Sequence, residues 1–214
     1  MTNDYAIAVI SEGIKRKLNN ALIQQFNMHV DFTFTKPASP PPAEPTINIM
    51  MYQALINPSL RNNELILEQR NIDNSNQVKE VQTIFVPLTL HYLLSFYGPE
   101  EKLIPQRLMA AAVGVMHENP VLSVENLNAI LSNMEESRPS QTIPPYSEPV
   151  ILSWSNITAD DSFKLWSALQ TPYASSIAYE ANTAIIYCGE REKTYTKVNK
   201  NGPQTTAKPH LPNG

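Results

Sequence analysis

The sequence has little glycine, and this alone excludes several kinds of chemistry. It contains 6 Gly against 18 Pro in 214 residues. Phosphate-binding loops need clustered glycines, because only a residue without a Cβ lets backbone amides approach a phosphate closely. The glycines here stand apart, at Gly13, Gly98, Gly114, Gly189, Gly202 and Gly214. We therefore expect no dinucleotide-binding fingerprint, no P-loop and no Gly-x-Ser-x-Gly nucleophile turn.

Cysteine, paired histidines and basic charge are also scarce. The single Cys188 can form neither an internal disulfide nor a multi-thiolate zinc site, and the four histidines lack metal-ligand spacing. Charged residues make up 17% of the chain, and the net charge is −4. A surface basic enough to neutralise nucleic-acid phosphates is therefore not expected. We predict no metal, no cofactor and no nucleic-acid partner, and we interpret Cys188 as a small buried hydrophobe.

Long hydrophobic runs are missing as well. No stretch approaches the length of a membrane span, and Asp4 precedes any basic segment at the start of the chain. The sequence therefore predicts neither a signal peptide nor a membrane span. Together with the lone cysteine, this indicates a reducing, cytoplasmic compartment.

Apolar periodicity predicts the regular elements. Helical spacing predicts a long amphipathic helix over 4–26, a second from Glu100 to Asn119, a third beginning at Ser123 and a fourth beginning at Thr158. Alternation and apolar runs predict strands over 30–34, 46–56, 64–68, 86–97, 150–154 and 177–187. We expect the strand over 46–56 to be covered on both faces.

This order of elements favours one α+β domain over 1–189, with a mixed or antiparallel sheet packed by helices. A proline-rich connector at 36–45 and an irregular loop at 135–149 interrupt it, because proline fits neither a sheet ladder nor a helix interior. Residues 190–214 are polar and locally basic, and we expect them to form a tail outside the core.

Candidate catalytic groups are few. His91 lies mid-strand and could act as a general base, but a hydrogen-bonded or partly exposed sheet histidine is the alternative we favour, because no nucleophile stands near it in sequence. The adjacent carboxylate pairs do not converge, because neighbours on a helix diverge by roughly 100°. Catalysis is thus disfavoured.

Aromatic and amide-rich turns remain as candidate contact sites. Tyr52, Asn57, Arg61 and Asn62 surround one predicted turn, and Trp166, Tyr173 and Tyr179 surround another. Aromatic residues and Arg dominate protein interfaces. The same residues fit another interpretation, in which the aromatics are core and 57–62 are chosen for local turn hydrogen bonds.

Several segments, taken together and in order, resemble the cap proteins of extracellular contractile injection systems, the phage-tail-like particles of the antifeeding-prophage type. The segments are Pro45–Tyr52, Asn57–Asn62, Leu88–Leu94, Met116–Leu122, Phe163–Leu169, Pro172-Tyr173 and Ser176–Glu180. They extend over nearly all of the chain to about Tyr187.

The resemblance implies a phage tail-terminator-like α+β fold and a structural, non-enzymatic role. It implies a homohexameric ring that closes the baseplate-distal end of the inner tube and sheath and fixes their length. The partners would be other copies of the chain, the tube protein and the sheath protein, assembled in the cytoplasm into a particle that cells can release. We expect partner contacts at Pro40, Pro41, Pro42, Tyr52, Asn57, Arg61, Asn62 and Tyr173.

Two other functions stay open at this point. The first is an interaction adaptor outside any tail, which would use the same aromatic turns as a monomer or dimer. The second is a hydrolase whose site is dispersed along the sequence and includes His91 or Cys188.

Overall fold

In the computed structural model, the described residues are 5–57, 66–71, 77–135 and 148–196. The helices are α1 (Ala6–Phe26), α2 (Ile104–Glu118), α3 (Val124–Glu135) and α4 (Ala159–Leu169), with a 3₁₀ turn at Glu100–Lys102. The strands are β1 (Asp31–Thr33), β2 (Thr46–Ile56), β3 (Ile66–Asn71), β4 (Gln77–Tyr97), β5 (Val121–Leu122), β6 (Val150–Trp154) and β7 (Ser176–Thr196). The turn predicted at 59–63 and residues 136–147 of the predicted loop lie outside the described residues.

The helices form where apolar spacing and caps predicted them. Ile10, Ile14, Leu18 and Leu22 of α1 are fully buried, as a stripe at three- and four-residue spacing should be. The Ser123 hydroxyl accepts from the Asn126 amide at 3.3 Å and caps α3. Helix α2 begins later than predicted, because the backbone at Leu103 is left-handed and separates it from the 3₁₀ turn.

The chain comprises two compact units, of which the first consists of 1–63 and 85–189. Its strands lie in the order β1-β2-β4-β7-β6-β5. β1 pairs with β2 in parallel over Asp31–Thr33, whereas β2 pairs antiparallel with β4 from Thr46↔Tyr97 to Ile56↔Leu88. β6 is antiparallel to both β5 and β7. The sheet is therefore mixed, which confirms the predicted α+β fold class.

The main core lies on one face of this sheet. Leu90, Tyr92, Leu94 and Phe96 alternate along β4 and are buried among residues of α1, α2 and α3. The Tyr92 hydroxyl lies 2.9 Å from Ser11 Oγ, and burial raises the pKa of Tyr92 to about 12. On the other face, Leu93 packs in a smaller cluster that α4 completes. The sheet is thus covered by helices on both faces.

β2 corrects one expectation about burial. Its first five residues, 46–50, are buried, but Gln53, Ala54, Leu55 and Ile56 are exposed. β1 pairs only with Thr46–Asn48, so within the described strands the outer edge of β2 beyond Asn48 has no neighbour. An apolar run alone does not indicate whether a neighbouring strand extends along its full length.

The second compact unit comprises 64–84 and 190–214. In its described part, β3 pairs antiparallel with β4 from Ile66↔Gln82 to Asn71↔Val78, with an irregularity between Ile66 and Glu68. β4 begins at Gln77 and β7 continues to Thr196, so both strands are longer than predicted. Residues 77–85 of β4 and 188–196 of β7 were not predicted as strands. These segments are largely polar and have no regular apolar alternation. The division into a 1–189 domain and a tail stays a prediction.

Candidate interaction surface

A group of aromatic side chains forms around α4. The Thr158 hydroxyl accepts from the Asp161 amide at 3.2 Å and starts the helix, so that Phe163 and Trp166 fall one turn apart. Trp166 is 3% exposed and packs with Met50 and Leu93, whereas Phe163 is 63% exposed. One side chain thus attaches the helix to the sheet, and the other faces outward.

The chain then folds Tyr173 back onto this helix. α4 ends at Gln170, which has a left-handed backbone (φ 53°), and Pro172 follows two residues later. The Tyr173 ring lies 5.4 Å from that of Trp166 and 6.2 Å from that of Phe163, measured between centroids, in tilted arrangements. Tyr173 is 62% exposed. Tilted aromatic pairs are favourable, and the buried Trp166 ring is fixed by its packing. The exposed rings of Tyr173 and Phe163 are therefore held in place.

Prolines border the same surface. A cavity of about 320 Å³ is lined by Pro41 and Pro42 of the connector, by Pro105 and Pro172, and by Tyr173. Glu100 is its only charged lining residue. We call Pro41, Pro42, Phe163, Pro172 and Tyr173 the aromatic–proline surface. The fold therefore joins three of the predicted contact residues, Pro41, Pro42 and Tyr173, from distant parts of the sequence.

The connector is held at both ends. The Asn48 side-chain amide donates to the Thr35 carbonyl at 2.7 Å and to Thr33 Oγ1 at 2.8 Å, and the Asp31 amide donates to the Pro45 carbonyl at 3.0 Å. Residues 34–45 form neither helix nor strand. Pro40 is exposed and follows a cis peptide bond, but it does not line the cavity.

Two buried polar atoms lie beneath this surface without a hydrogen-bond partner in the described part of the chain. They are Trp166 Nε1 and Thr171 Oγ1. An unsatisfied buried donor or acceptor costs about 1–3 kcal/mol. Solvent or a partner at this surface would remove that cost.

The other predicted contact residues lie elsewhere. Tyr52 is half-buried beside the Trp166 cluster, and its pKa is raised, first by burial and then by the charge of Glu180. The Asn57 amide donates to the Pro87 carbonyl at 2.9 Å. Pro87 lies at the middle of β4, nine residues before Phe96, which lines the cavity. Asn57 is therefore about 30 Å along the strand from the aromatic–proline surface. Arg61 and Asn62 are outside the described residues.

His91 occupies a polar cluster on the sheet. Its Nδ1 lies 3.6 Å from Glu180 Oε1, and the Ser155 hydroxyl donates to the same oxygen at 2.8 Å. A nucleophilic serine donates its hydroxyl hydrogen bond to the imidazole of its histidine base. Here the Ser155 hydroxyl donates to the Glu180 carboxylate instead. At 3.6 Å the contact between His91 and Glu180 is too long for a hydrogen bond. The half-buried His91 therefore matches the partly exposed form of the sheet histidine that we favoured.

Cys188 departs from its prediction, because it is exposed rather than buried. Its Sγ lies 3.6 Å from the Ile186 carbonyl, its hydrogen-bond acceptor. It follows Tyr187 near the end of the first unit, where the apolar alternation of β7 stops. In the described residues, no three His, Cys, Asp or Glu side chains converge as metal ligands. None of the described helices combines the length and apolarity needed to cross a membrane.

The family model of the Pvc16 N-terminal domain matches residues 9–199. The chain belongs to the Pvc16 N-terminal domain family. This match includes all the described helices from Val9 onward and every described strand. No curated protein sequence matches the chain.

Two solved structures share the fold of this Pvc16-type domain. One is the sheath/tube terminator, in the extended state, of the extracellular contractile injection system PVC, with a TM-score of 0.59 and 13% identity over 96% of this chain. The other is the tube-terminating cap of the anti-feeding prophage, with a TM-score of 0.56 and 14% identity over 96% of this chain. The chain spans 65% and 62% of their lengths. The predicted tail-terminator-like fold is confirmed.

Sequence reasoning missed two features of the Pvc16-type domain. Phe163 was assigned to a helix but not to a surface, although its place one turn before Trp166 puts it beside Tyr173. The exposed edge of β2 was taken for buried core. A weak signal for the first was available, because Pro172 directly before Tyr173 already indicated that the chain turns back.

Proposed function

We propose that this chain is a tail terminator of a contractile injection system. In this proposal, a homohexameric ring closes the baseplate-distal end of the inner tube and sheath and stops their growth, without catalysis. The supporting observation is that a sheath/tube terminator and a tube-terminating cap, two of the solved structures similar to this chain, each match 96% of it.

The sheet edges support a terminating role. Subunits of extended assemblies commonly join by adding a strand to a neighbour's exposed sheet edge, and short strands and prolines are means of blocking such an edge. β1 has three residues and is followed by the proline-rich connector, and β5 has two and is preceded by Pro120. Among the described strands, the β5 end of the strand order therefore offers only a short edge, and the longer open edge of β2 lies at the other end alone.

The aromatic–proline surface supports a contact between subunits. Phe163 and Tyr173 are large and exposed. Tyr173 packs against Trp166, and Phe163 packs against Tyr173, so little side-chain freedom is lost on binding. Aromatic anchors of this kind dominate interface energies. We assign to this surface the contact with the neighbouring ring subunit, and Pro40, Tyr52, Asn57, Arg61 and Asn62 remain proposed contacts of the tube or sheath. Assembly would take place in the cytoplasm before the particle is released.

The deciding experiment is electron microscopy of particles made without this protein. We expect tubes or sheaths of broad, unregulated length, and restored uniform length when the intact chain is supplied from a plasmid. Particles of ordinary, uniform length in its absence would refute the terminator role.

The exposed aromatic rings are also compatible with an interaction adaptor outside any tail. The same particles distinguish this adaptor from a terminator. An adaptor outside the tail would leave particle length unchanged and would be absent from purified particles. A terminator would co-purify with them, and labelled antibody against it would mark one end only.

A further inference from the structure

A second cavity, of about 470 Å³, lies between α1, β5 and the start of α3. Arg16, Lys17 and Asn20 line it from α1, and Asn119, Ser123 and Asn126 line it from the other side. Gly13 allows the close approach, because a Cβ there would lie 3.2 Å from Leu122 Cδ1. None of the described residues that line it carries a carboxylate.

Lys17 is the central cation of this cavity. Its side chain is half-buried, and burial lowers its pKa. The ammonium donates to the Asn119 carbonyl, just beyond the end of α2, which leaves two of its three N–H donors for other acceptors. Among the described residues no carboxylate pairs with it, whereas Lys15 and Arg16 both pair with Glu12.

The surroundings of Lys17 favour an anion. The first-turn amides of α3 begin after Ser123, and a helix N-terminus carries a partial positive charge. The side-chain amides of Asn20 and Asn126 supply further neutral donors at the rim. The cavity therefore combines Lys17, the ion-paired Arg16 and several neutral donors.

The remaining lining is apolar and points to a peptide rather than a small inorganic anion. Val121, Leu122, Leu127 and Ile130 line the cavity, and Val121 is partly exposed at the edge of the sheet. The Val121 amide already donates to Asn119 Oδ1 at 3.3 Å, so strand addition is disfavoured at this point and side-chain recognition is favoured.

We propose that this cavity binds the carboxylate of an Asp or Glu side chain in a peptide segment of a partner protein, with an apolar neighbour of that residue against Val121. The carboxylate would pair with the free donors of Lys17 in a partly desolvated place, where charge-assisted hydrogen bonds are stronger. This binding does not depend on the ring or on the tube.

The test measures acetylation of individual lysines by mass spectrometry on the intact, isolated chain. The probes are a blocked Leu-Glu-Leu-Glu peptide, the matching Leu-Gln-Leu-Gln peptide and inorganic phosphate. We expect saturating acidic peptide to slow modification of Lys17 at least about fivefold, because a bound carboxylate stabilises the unreactive ammonium. Lys164, which pairs with Asp160 and Asp161 on α4, is the internal control and should not change.

Two matched variants separate binding from stability. Asn126→Asp places a like charge in the cavity and should weaken peptide binding at least about tenfold, while an acidic residue in the first turn does not harm α3. Asn133→Asp makes the same change two turns along α3, outside the lining, and should bind as the unmodified chain does. Urea unfolding of both variants should show intact folds.

Four results would overturn the proposal. The first is no protection of Lys17 by the acidic peptide, and the second is equal protection by the glutamine peptide. The third is equal protection by phosphate, which would make the cavity a small-anion site. The fourth is undiminished binding by Asn126→Asp, which would place the peptide elsewhere.

Discussion

The aromatic–proline surface allows a sharp test of the ring contact, through the double variant Phe163→Ala and Tyr173→Ala. Full burial of an aromatic side chain stabilises by about 1.5–3 kcal/mol. Phe163 and Tyr173 are 63% and 62% exposed. Each ring therefore contributes only about two fifths of that burial free energy in the isolated chain. We expect each truncation to lower the free energy of unfolding by about 1 kcal/mol.

The same change should have a larger effect on assembly. A central aromatic anchor contributes about 2 kcal/mol or more to an interface, which corresponds to roughly a 30-fold loss of affinity for each contact. A closed ring loses this at every contact between neighbours. We therefore expect the double variant to fold but to leave particles of irregular length, measured by electron microscopy when it is the only copy supplied.

The matched control is Trp154→Ala. Trp154 is 52% exposed on β6, and its ring lies 5.9 Å from that of Tyr179, outside the aromatic–proline surface. Its truncation should cost a similar amount of stability and leave particle length uniform. If the double variant also gave particles of uniform length, with urea unfolding confirming its fold, the assignment of this surface to the ring contact would be refuted.

Three further predictions concern stability, measured by urea unfolding. Gly98→Ala should destabilise the chain by about 1–3 kcal/mol, because φ is +141° there and a Cβ would lie 2.7 Å from Ile104 Cγ2. Gly114→Ala should instead stabilise α2 by up to about 1 kcal/mol, because a Cβ there meets nothing within 4 Å. Thr158→Ala should cost about 1 kcal/mol through loss of the α4 cap, and Thr158→Ser should restore most of it. Burial raises the pKa of Tyr92 to about 12 in the folded chain, against about 10 in the unfolded chain. Stability should therefore be constant up to about pH 10 and fall by up to about 3 kcal/mol towards pH 12, because only the unfolded state ionises over that range. Tyr92→Phe should flatten this fall.

The regular elements of the first unit could be predicted because each carries its own local signal. The stripe of α1, the alternation along β4 and the caps at Ser123 and Thr158 depend on residues a few positions apart. The strand predicted over 64–68 overlaps the start of β3. The sequence over 69–71 and 77–82 is largely polar, so hydropathy did not indicate the rest of β3 or the start of β4. β5 has only two residues and is defined by its pairing with β6, a partner far along the chain.

The candidate surface could be predicted only in part. Proline and tyrosine content indicated that Pro41, Pro42 and Tyr173 were contact candidates, but their proximity depends on the register of β2 with β4 and on the left-handed end of α4. The exposure of individual side chains was harder still to predict from the sequence. Local pattern places Ile56 and Cys188 inside, yet both are exposed. Ile56 is exposed because β1 covers only the start of β2.

The two ends of the strand order in the first unit differ in how much open strand edge they offer. At one end of the strand order, β5 is two residues long, and the Val121 amide is bonded to Asn119 Oδ1. At the other end, β1 covers only the start of β2, and the exposed Met51, Leu55 and Ile56 lie along the rest of it. Among the described strands of this unit, β2 therefore offers the one extended edge that could accept a strand from a tube or sheath subunit. A subunit that accepts a strand at one edge and blocks the other ends a chain of such additions. Proline-rich composition thus supports the proposed role through the edges that the prolines border.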